Sequence, residues 1–164
     1  MAGRITKSEE QLRPDPVHQD KTLAKFINCV MSDGRKTRAQ ACVYGALEII
    51  QKRLEKEKPE GLPSTSLEIF HLAIRNVRPN VEVRSKRVGG ANYQVPMQVN
   101  DRRQQSLCFR WIIGAARAES GRPMSQRLAK ELYDAARGEG KAMQTREQTH
   151  RMAEANKAFA HFAW

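Results

Sequence analysis

Val81-Glu-Val-Arg-Ser-Lys-Arg-Val-Gly-Gly-Ala-Asn-Tyr-Gln-Val-Pro-Met-Gln-Val99 is the stretch that decides the fold. Apolar residues alternate at Val81 and Val83 and again at Tyr93, Val95, Met97 and Val99, with Gly89-Gly90 between the two runs. That is the period of a strand on either side of a turn. A three-residue loop, Gly89-Gly90-Ala91, pairs Val81 with Val99, Val83 with Met97, Ser85 with Val95 and Arg87 with Tyr93. It puts the apolar side chains on one face and Glu82, Arg84, Lys86, Gln94 and Gln98 on the other. Eight residues of strand span ~26 Å, against a radius of gyration of ~15 Å for a compact chain of this length. A ribbon with no other strand to pair with should therefore protrude from the body. Pro96 suits it, because both strands are edges.

Outward from the ribbon the period changes to that of helices. Asp20 is an N-cap for Leu23, Phe26, Ile27, Val30 and Met31, with Gly34 as the closing cap; a second helix follows Lys36 with Val43, Leu47, Ile50 and Leu54 inward. Thr65 opens a third, carrying Leu67, Phe70, Ile74 and Val77 and stopped by Pro79. After the ribbon, a helix from Asp101 bears Leu107, Trp111 and Ala115, and one over about 123–137 bears Met124, Leu128 and Leu132. The last puts Met152, Ala155, Phe159 and Phe162 on one stripe, expected in the core. The fold class is mainly α: a bundle of about six helices with a protruding two-stranded hairpin. Residues 1–19, with Arg4, Lys7, Pro14 and Pro16 and no periodicity, read as a basic, flexible N-terminal arm that needs a partner for order. Residues 20–164 form one helical domain with the ribbon at 81–99.

The 164 residues hold 29 Lys and Arg against 18 Asp and Glu, a net charge of +11. A polyanionic partner is the first implication. No apolar run reaches the ~20 residues that cross a bilayer, so no membrane partner is expected. Nor is a secretory signal expected in Met1 to Glu10. Cys29, Cys42 and Cys108 show no paired spacing and fall in apolar registers, which points to buried thiols in a reducing compartment. His18, His71, His150 and His161 enter no metal-ligand or nucleophile motif, and Gly89-Gly90 is a turn rather than a phosphate loop. Neither an enzyme nor a cofactor or metal site is expected.

Charge concentrates where the ribbon is. Arg75, Arg78, Arg84, Lys86, Arg87, Arg102 and Arg103 face only Glu82 and Asp101 in that stretch. Lys alone would serve to protect exposed strand edges, but Arg predominates, and its planar fork suits phosphate. Arg103, Arg110 and Arg117 recur every seven residues on the following helix, and Arg35 and Lys36 could join them. Arg146, His150, Lys157 and His161 share one face of the last helix. The ribbon suits a polyanion, and spacing alone leaves the face of the last helix open to RNA, protein or water; an architectural DNA-binding protein with a basic β-ribbon arm is one reading, which dimerisation would separate from a single-copy RNA binder.

Several strings carry a resemblance: Gly34-Arg-Lys36, Asn76-Val-Arg-Pro79, Arg84-Ser-Lys-Arg-Val-Gly-Gly90, Tyr93-Gln-Val-Pro96, Arg110-Trp-Ile112, and His150-Arg-Met-Ala-Glu-Ala-Asn-Lys-Ala-Phe-Ala-His161. From about Pro14 to Trp164 the chain resembles bacterial-type small-subunit ribosomal protein seven. The resemblance implies a primary binder of the 3′ major domain of small-subunit ribosomal RNA that organises assembly of the subunit head. It also implies a place near the exit (E) site and the messenger path, so proximity to mRNA and E-site tRNA. Ribosomal protein eleven and other head proteins would be neighbours, with a single copy per subunit, in a cytoplasmic ribosome or, for an organelle-encoded chain, an organellar one. To the RNA-facing residues above it adds Arg4, Lys7, Arg122, Met124 and Lys141. Gly89, Gly90, Tyr93, His150, Arg151 and Lys157 would face the E site or a protein partner. Asn100-Asp101 stands where Arg-Pro is common in that family, and Phe162-Ala-Trp164 where Tyr-Arg-Trp is common.

Overall fold

The computed structural model describes residues 11–57 and 61–163. Within them run six α-helices: α1 (Lys21–Val30), α2 (Lys36–Glu57), α3 (Ser66–Val77), α4 (Asp101–Ala118), α5 (Met124–Ala136) and α6 (Lys141–Ala155). Strands β1 (Val81–Val88) and β2 (Ala91–Gln98) stand between α3 and α4, and a 3-10 turn, Lys157–Phe162, follows α6. Mainly helical with one antiparallel hairpin is thus the observed class. No helix among these residues is long and apolar enough to cross a membrane.

Side chains cap α1, α3 and α4. Asp20 accepts the Leu23 amide at 2.9 Å, Thr65 accepts that of Glu68 at 3.3 Å, and Asn100 accepts that of Arg103 at 3.0 Å. Each satisfies an amide that has no partner in the first helical turn. α5, packed on α2, α3 and α4, buries Leu128 and Leu132 fully. The centre of the core is an aromatic trio: Phe26 of α1 lies edge-on to Phe70 of α3 at 5.3 Å and to Phe109 of α4 at 5.2 Å.

Several expectations need correction. α1 ends at Val30 rather than running on to Gly34; Asp33 and Gly34, both at positive φ, form the bend that leads into α2. On α4 the buried face is Leu107, Cys108, Phe109, Ile112, Ile113 and Ala116, with Trp111 only half-buried. Trp111 lies one residue before the buried pair Ile112 and Ile113. Of the cysteines only Cys108 is buried, and Cys29 is exposed. The stripe Met152, Ala155, Phe159 and Phe162 is not core: Met152 is 43% exposed, and the helix breaks at Asn156. That break also ends the shared face of Arg146, His150, Lys157 and His161.

The ribbon differs in register. Gly89 (φ +58) and Gly90 (φ +91) form a two-residue turn, with both central residues in the left-handed region that the twist of a hairpin favours. Pairing is therefore Glu82 with Met97, Arg84 with Val95 and Lys86 with Tyr93. A slip of one residue exchanges the faces of one strand against the other. Val95, Tyr93 and Met97 share their face with Glu82, Arg84 and Lys86, while Val81 and Val83 sit with Pro96 and Gln98 on the opposite one. The first face is covered. β1 and β2 lie on α6, β2 also lies on the 3-10 turn, Val95 is fully buried, and Lys86 Nζ donates to the Phe162 carbonyl at 2.9 Å. No ribbon residue belongs to the main core, yet the ribbon is seated along that face.

Of the arm expected over 1–19, residues 1–10 lie outside the described residues, and residues 11–19 are non-helical and bonded to α2 through Asp15 and Tyr44. Asp15, 2% exposed, accepts the Tyr44 phenol at 2.6 Å and the amides of Val17 and His18. Asp15→Ala should cost about 1–3 kcal/mol, because it takes the acceptor from a half-buried phenol and two amides at once; a urea titration reads the loss. Burial first, and then the hydrogen bond to Asp15, push the Tyr44 phenol up from 10.0 to about 12. The folded chain thus holds this proton more tightly than the unfolded chain. The stability so gained is present below about pH 10 and lost as pH rises towards about 12. Phenolate absorbance should show Tyr44 ionising late in the wild type and earlier in Asp15→Ala, while Tyr133, raised by burial and then by its bond to Glu57, keeps its late ionisation in both.

Candidate nucleic-acid interface

Three constellations of the basic residues emerge, each built by different elements. The first lies between the α1–α2 bend, the end of α4 and the start of α5. There Arg35, Arg38, Arg117, Arg127 and Met124, with Ser32, Asp33 and Cys42, line a cleft of about 390 Å³. Arg117 Nη2 reaches the Val30 carbonyl at 3.2 Å, and Arg127 donates to the carbonyl of Glu119, so two of the four guanidiniums are held by backbone at helix ends. Arg38 and Arg127 were missed in the sequence. Arg38 stands one turn from Arg35, a signal that was present, whereas Arg127 is brought to the cleft only by the packing of α5.

The second constellation is at the base of the ribbon. Glu82, 7% exposed, is bonded through Oε1 to Arg84 of its own strand and through Oε2 to Arg103 Nε of α4 at 3.0 Å. The third runs along the covered face, where Tyr93 packs against both Phe159 at 5.1 Å and Phe162 at 5.3 Å, and Lys86 bonds the Phe162 carbonyl. Tyr93 is half-buried there, and Gly89-Gly90 at the tip is exposed.

The remaining expected residues are scattered. Lys36, Arg87, Arg102, Arg110, Arg122, Lys141, Arg151 and Lys157 are exposed, and Arg78 and Arg146 are half-buried. Arg75 stands in a groove of α3 with Glu68, His71, Leu72 and Pro63, apart from the stripe on α4. His150 accepts the Asn80 amide on Nε2 at 3.3 Å. Burial, then the nearby Arg146, lowers its pKa, which favours the neutral, accepting form of the ring. It therefore joins α6 to the start of β1. Arg4 and Lys7 lie outside the described residues.

A helical body, a basic two-stranded ribbon and an arginine-lined cleft narrow the comparison with known proteins. The family model described as ribosomal protein S7p/S5e matches residues 2–157. The chain belongs to this family. Small ribosomal subunit protein uS7 of Rhodopirellula baltica is 57% identical over 162 residues, 99% of both chains. The protein of the same name from Rhizorhabdus wittichii is 51% identical over 164 residues, the whole of both, and that of Thermotoga neapolitana 51% over 161 residues, 98% of this chain and 99% of its own. As a member of the S7p/S5e family the chain is a structural, non-enzymatic component of the small ribosomal subunit. Family membership leaves the architectural DNA-binding alternative without support. It also gives the clustered arginines their context, a subunit in which proteins and a polyanion share one particle.

Proposed function

We propose that this chain is a primary binder of small-subunit ribosomal RNA, in the 3′ major domain, and that it organises assembly of the subunit head. Residues 20–164 act as one unit in this role. They lie near the E site and the messenger path, beside ribosomal protein eleven and other head proteins, one copy per subunit of a cytoplasmic ribosome. The single observation that carries the reading is the convergence of Arg35, Arg38, Arg117 and Arg127 on one cleft. Four guanidiniums against the single carboxylate of Asp33 leave this concave surface positive, and an anion with several charged oxygens offsets that excess. The grooves of folded RNA expose backbone and 2′-hydroxyls more than base edges, so selection is by shape and strength is electrostatic.

Titration of the protein with a transcript of the 3′ major domain tests this. For roughly six to eight neutralised phosphates, log K against log[salt] should slope between about −4 and −7. A slope near zero removes the phosphate model. Equal affinity for an unrelated folded RNA of the same length removes the specific one, and preference for duplex DNA would restore the rejected alternative.

A further inference from the structure

Glu82 is the only acid between Val81 and Val99, in a stretch that otherwise carries Arg84, Lys86 and Arg87. Its position is costly on two counts. It is buried at 7% exposure, and it brings negative charge to a ribbon that is to meet a polyanion. What it gains is two guanidiniums on one carboxylate. Arg84 Nε, at 2.6 Å, and its Nη2 both lie on Oε1, while Arg103 Nε lies on Oε2 at 3.0 Å. The two arginines come from different elements, β1 and α4, and their side chains remain 45% and 38% exposed. Arg103 bonds the carboxylate through Nε, and Arg84 through Nε and Nη2.

We infer that Glu82 is a positioning residue for RNA binding, which pins Arg84 and Arg103 into a single two-armed clamp for a backbone phosphate at the ribbon base. The cluster keeps one net positive charge. A long side chain that is already ordered does not lose that freedom on binding, and each such side chain is worth a few-fold in affinity. The geometry also uses what distinguishes Arg from Lys. The planar fork can bond a carboxylate along one edge and a phosphate along another, whereas an ammonium offers one point of charge. This inference rests on the RNA-binding reading above.

The test turns on a sign. Glu82→Gln raises the net charge of the protein by one, so bulk electrostatics alone predicts tighter binding of the 3′ major domain transcript. The clamp predicts weaker binding, by about tenfold for two released side chains. Arg84→Lys with Arg103→Lys keeps every charge and should cost a similar factor. Glu82→Gln added to that lysine pair should then cost nothing more, whereas a general slackening of the ribbon would add its own loss. Circular dichroism establishes that each variant is folded at the assay temperature. Binding by folded Glu82→Gln as tight as or tighter than wild type overturns the clamp, and so does unchanged affinity of the lysine pair. Should Glu82→Gln not fold, the lysine pair decides alone, its loss supporting the clamp and its full affinity overturning it. A wild-type protein without salt-dependent, RNA-selective binding overturns the RNA reading itself, and the clamp falls with it; that result is seen before any variant is made.

Discussion

Phe26→Ala is expected to lower stability by about 3–5 kcal/mol. Its ring is fully buried and meets Phe70 and Phe109 edge-on, so truncation takes away apolar burial and two aromatic contacts at once. Each such pair contributes roughly 0.5–1.5 kcal/mol beyond its area. The cavity would open where α1, α3 and α4 meet, and α1, with ten residues, is too short to hold its helix without that packing. Since whole domains are stable by about 5–15 kcal/mol, the variant should sit close to the limit of folding. The urea midpoint should fall steeply with little change in slope. Phe159→Ala, by contrast, alters a half-buried ring outside the core and should cost about 1 kcal/mol or less. Similar losses in the two variants would mean that the aromatic trio is not the centre of the core.

Replacing Arg84, Lys86 and Arg87 together by Gln should weaken binding of the 3′ major domain transcript by about a hundredfold or more at ~0.1 M salt. Each neutralised phosphate contributes about 0.7–0.9 to the salt slope, so the loss of up to three contacts shrinks it by up to about 2 to 3 units. The three residues act from different places. Arg87 lies on the outer face of the ribbon, Arg84 is braced by Glu82, and Lys86 is bonded to the Phe162 carbonyl on the covered face. Arg87→Gln alone should therefore leave the seating of the ribbon untouched, while the triple variant also loosens the C-terminal turn. Helical content should hold in both. If the triple variant binds with unchanged affinity and slope while Arg110→Gln with Arg117→Gln lowers both, the RNA surface is α4 and the ribbon serves another partner, the messenger or protein eleven.

Three of the helices could be read from the sequence because a capping residue opens an apolar period, Asp20 before Leu23, Thr65 before Phe70 and Asp101 before Leu107, whereas α5 and α6 have no side-chain cap and were legible by period alone. The ribbon was legible as well, since alternation around Gly89-Gly90 has no helical reading. Its register was not, because two- and three-residue loops both suit that sequence and only the positive φ at both glycines chooses between them. The stripe from Met152 to Phe162 misled for a different reason. Periodicity presumes an unbroken helix, and at Asn156 the chain tightens into a 3-10 turn that swings Phe159 and Phe162 towards Tyr93. As for the site, composition located the charge in the ribbon and on α4, but convergence is a property of packing. Nothing linear brings Arg127 to Arg35, or Arg103 to Glu82 across twenty residues.

The last turn of the chain lies on a hairpin finished sixty-four residues earlier, from Gln98 to Phe162. A ribosome adding ~5–20 residues per second takes about 3–13 s over that interval, whereas a hairpin closes in roughly 1–10 μs. Through those seconds the nascent ribbon has two open edges and an uncovered apolar face carrying Tyr93, Val95 and Met97. Charges on an edge strand oppose pairing with a neighbour. The same cations that later meet a polyanion thus first guard an unfinished chain, and a cell short of that protection would see the cost as aggregated translation product.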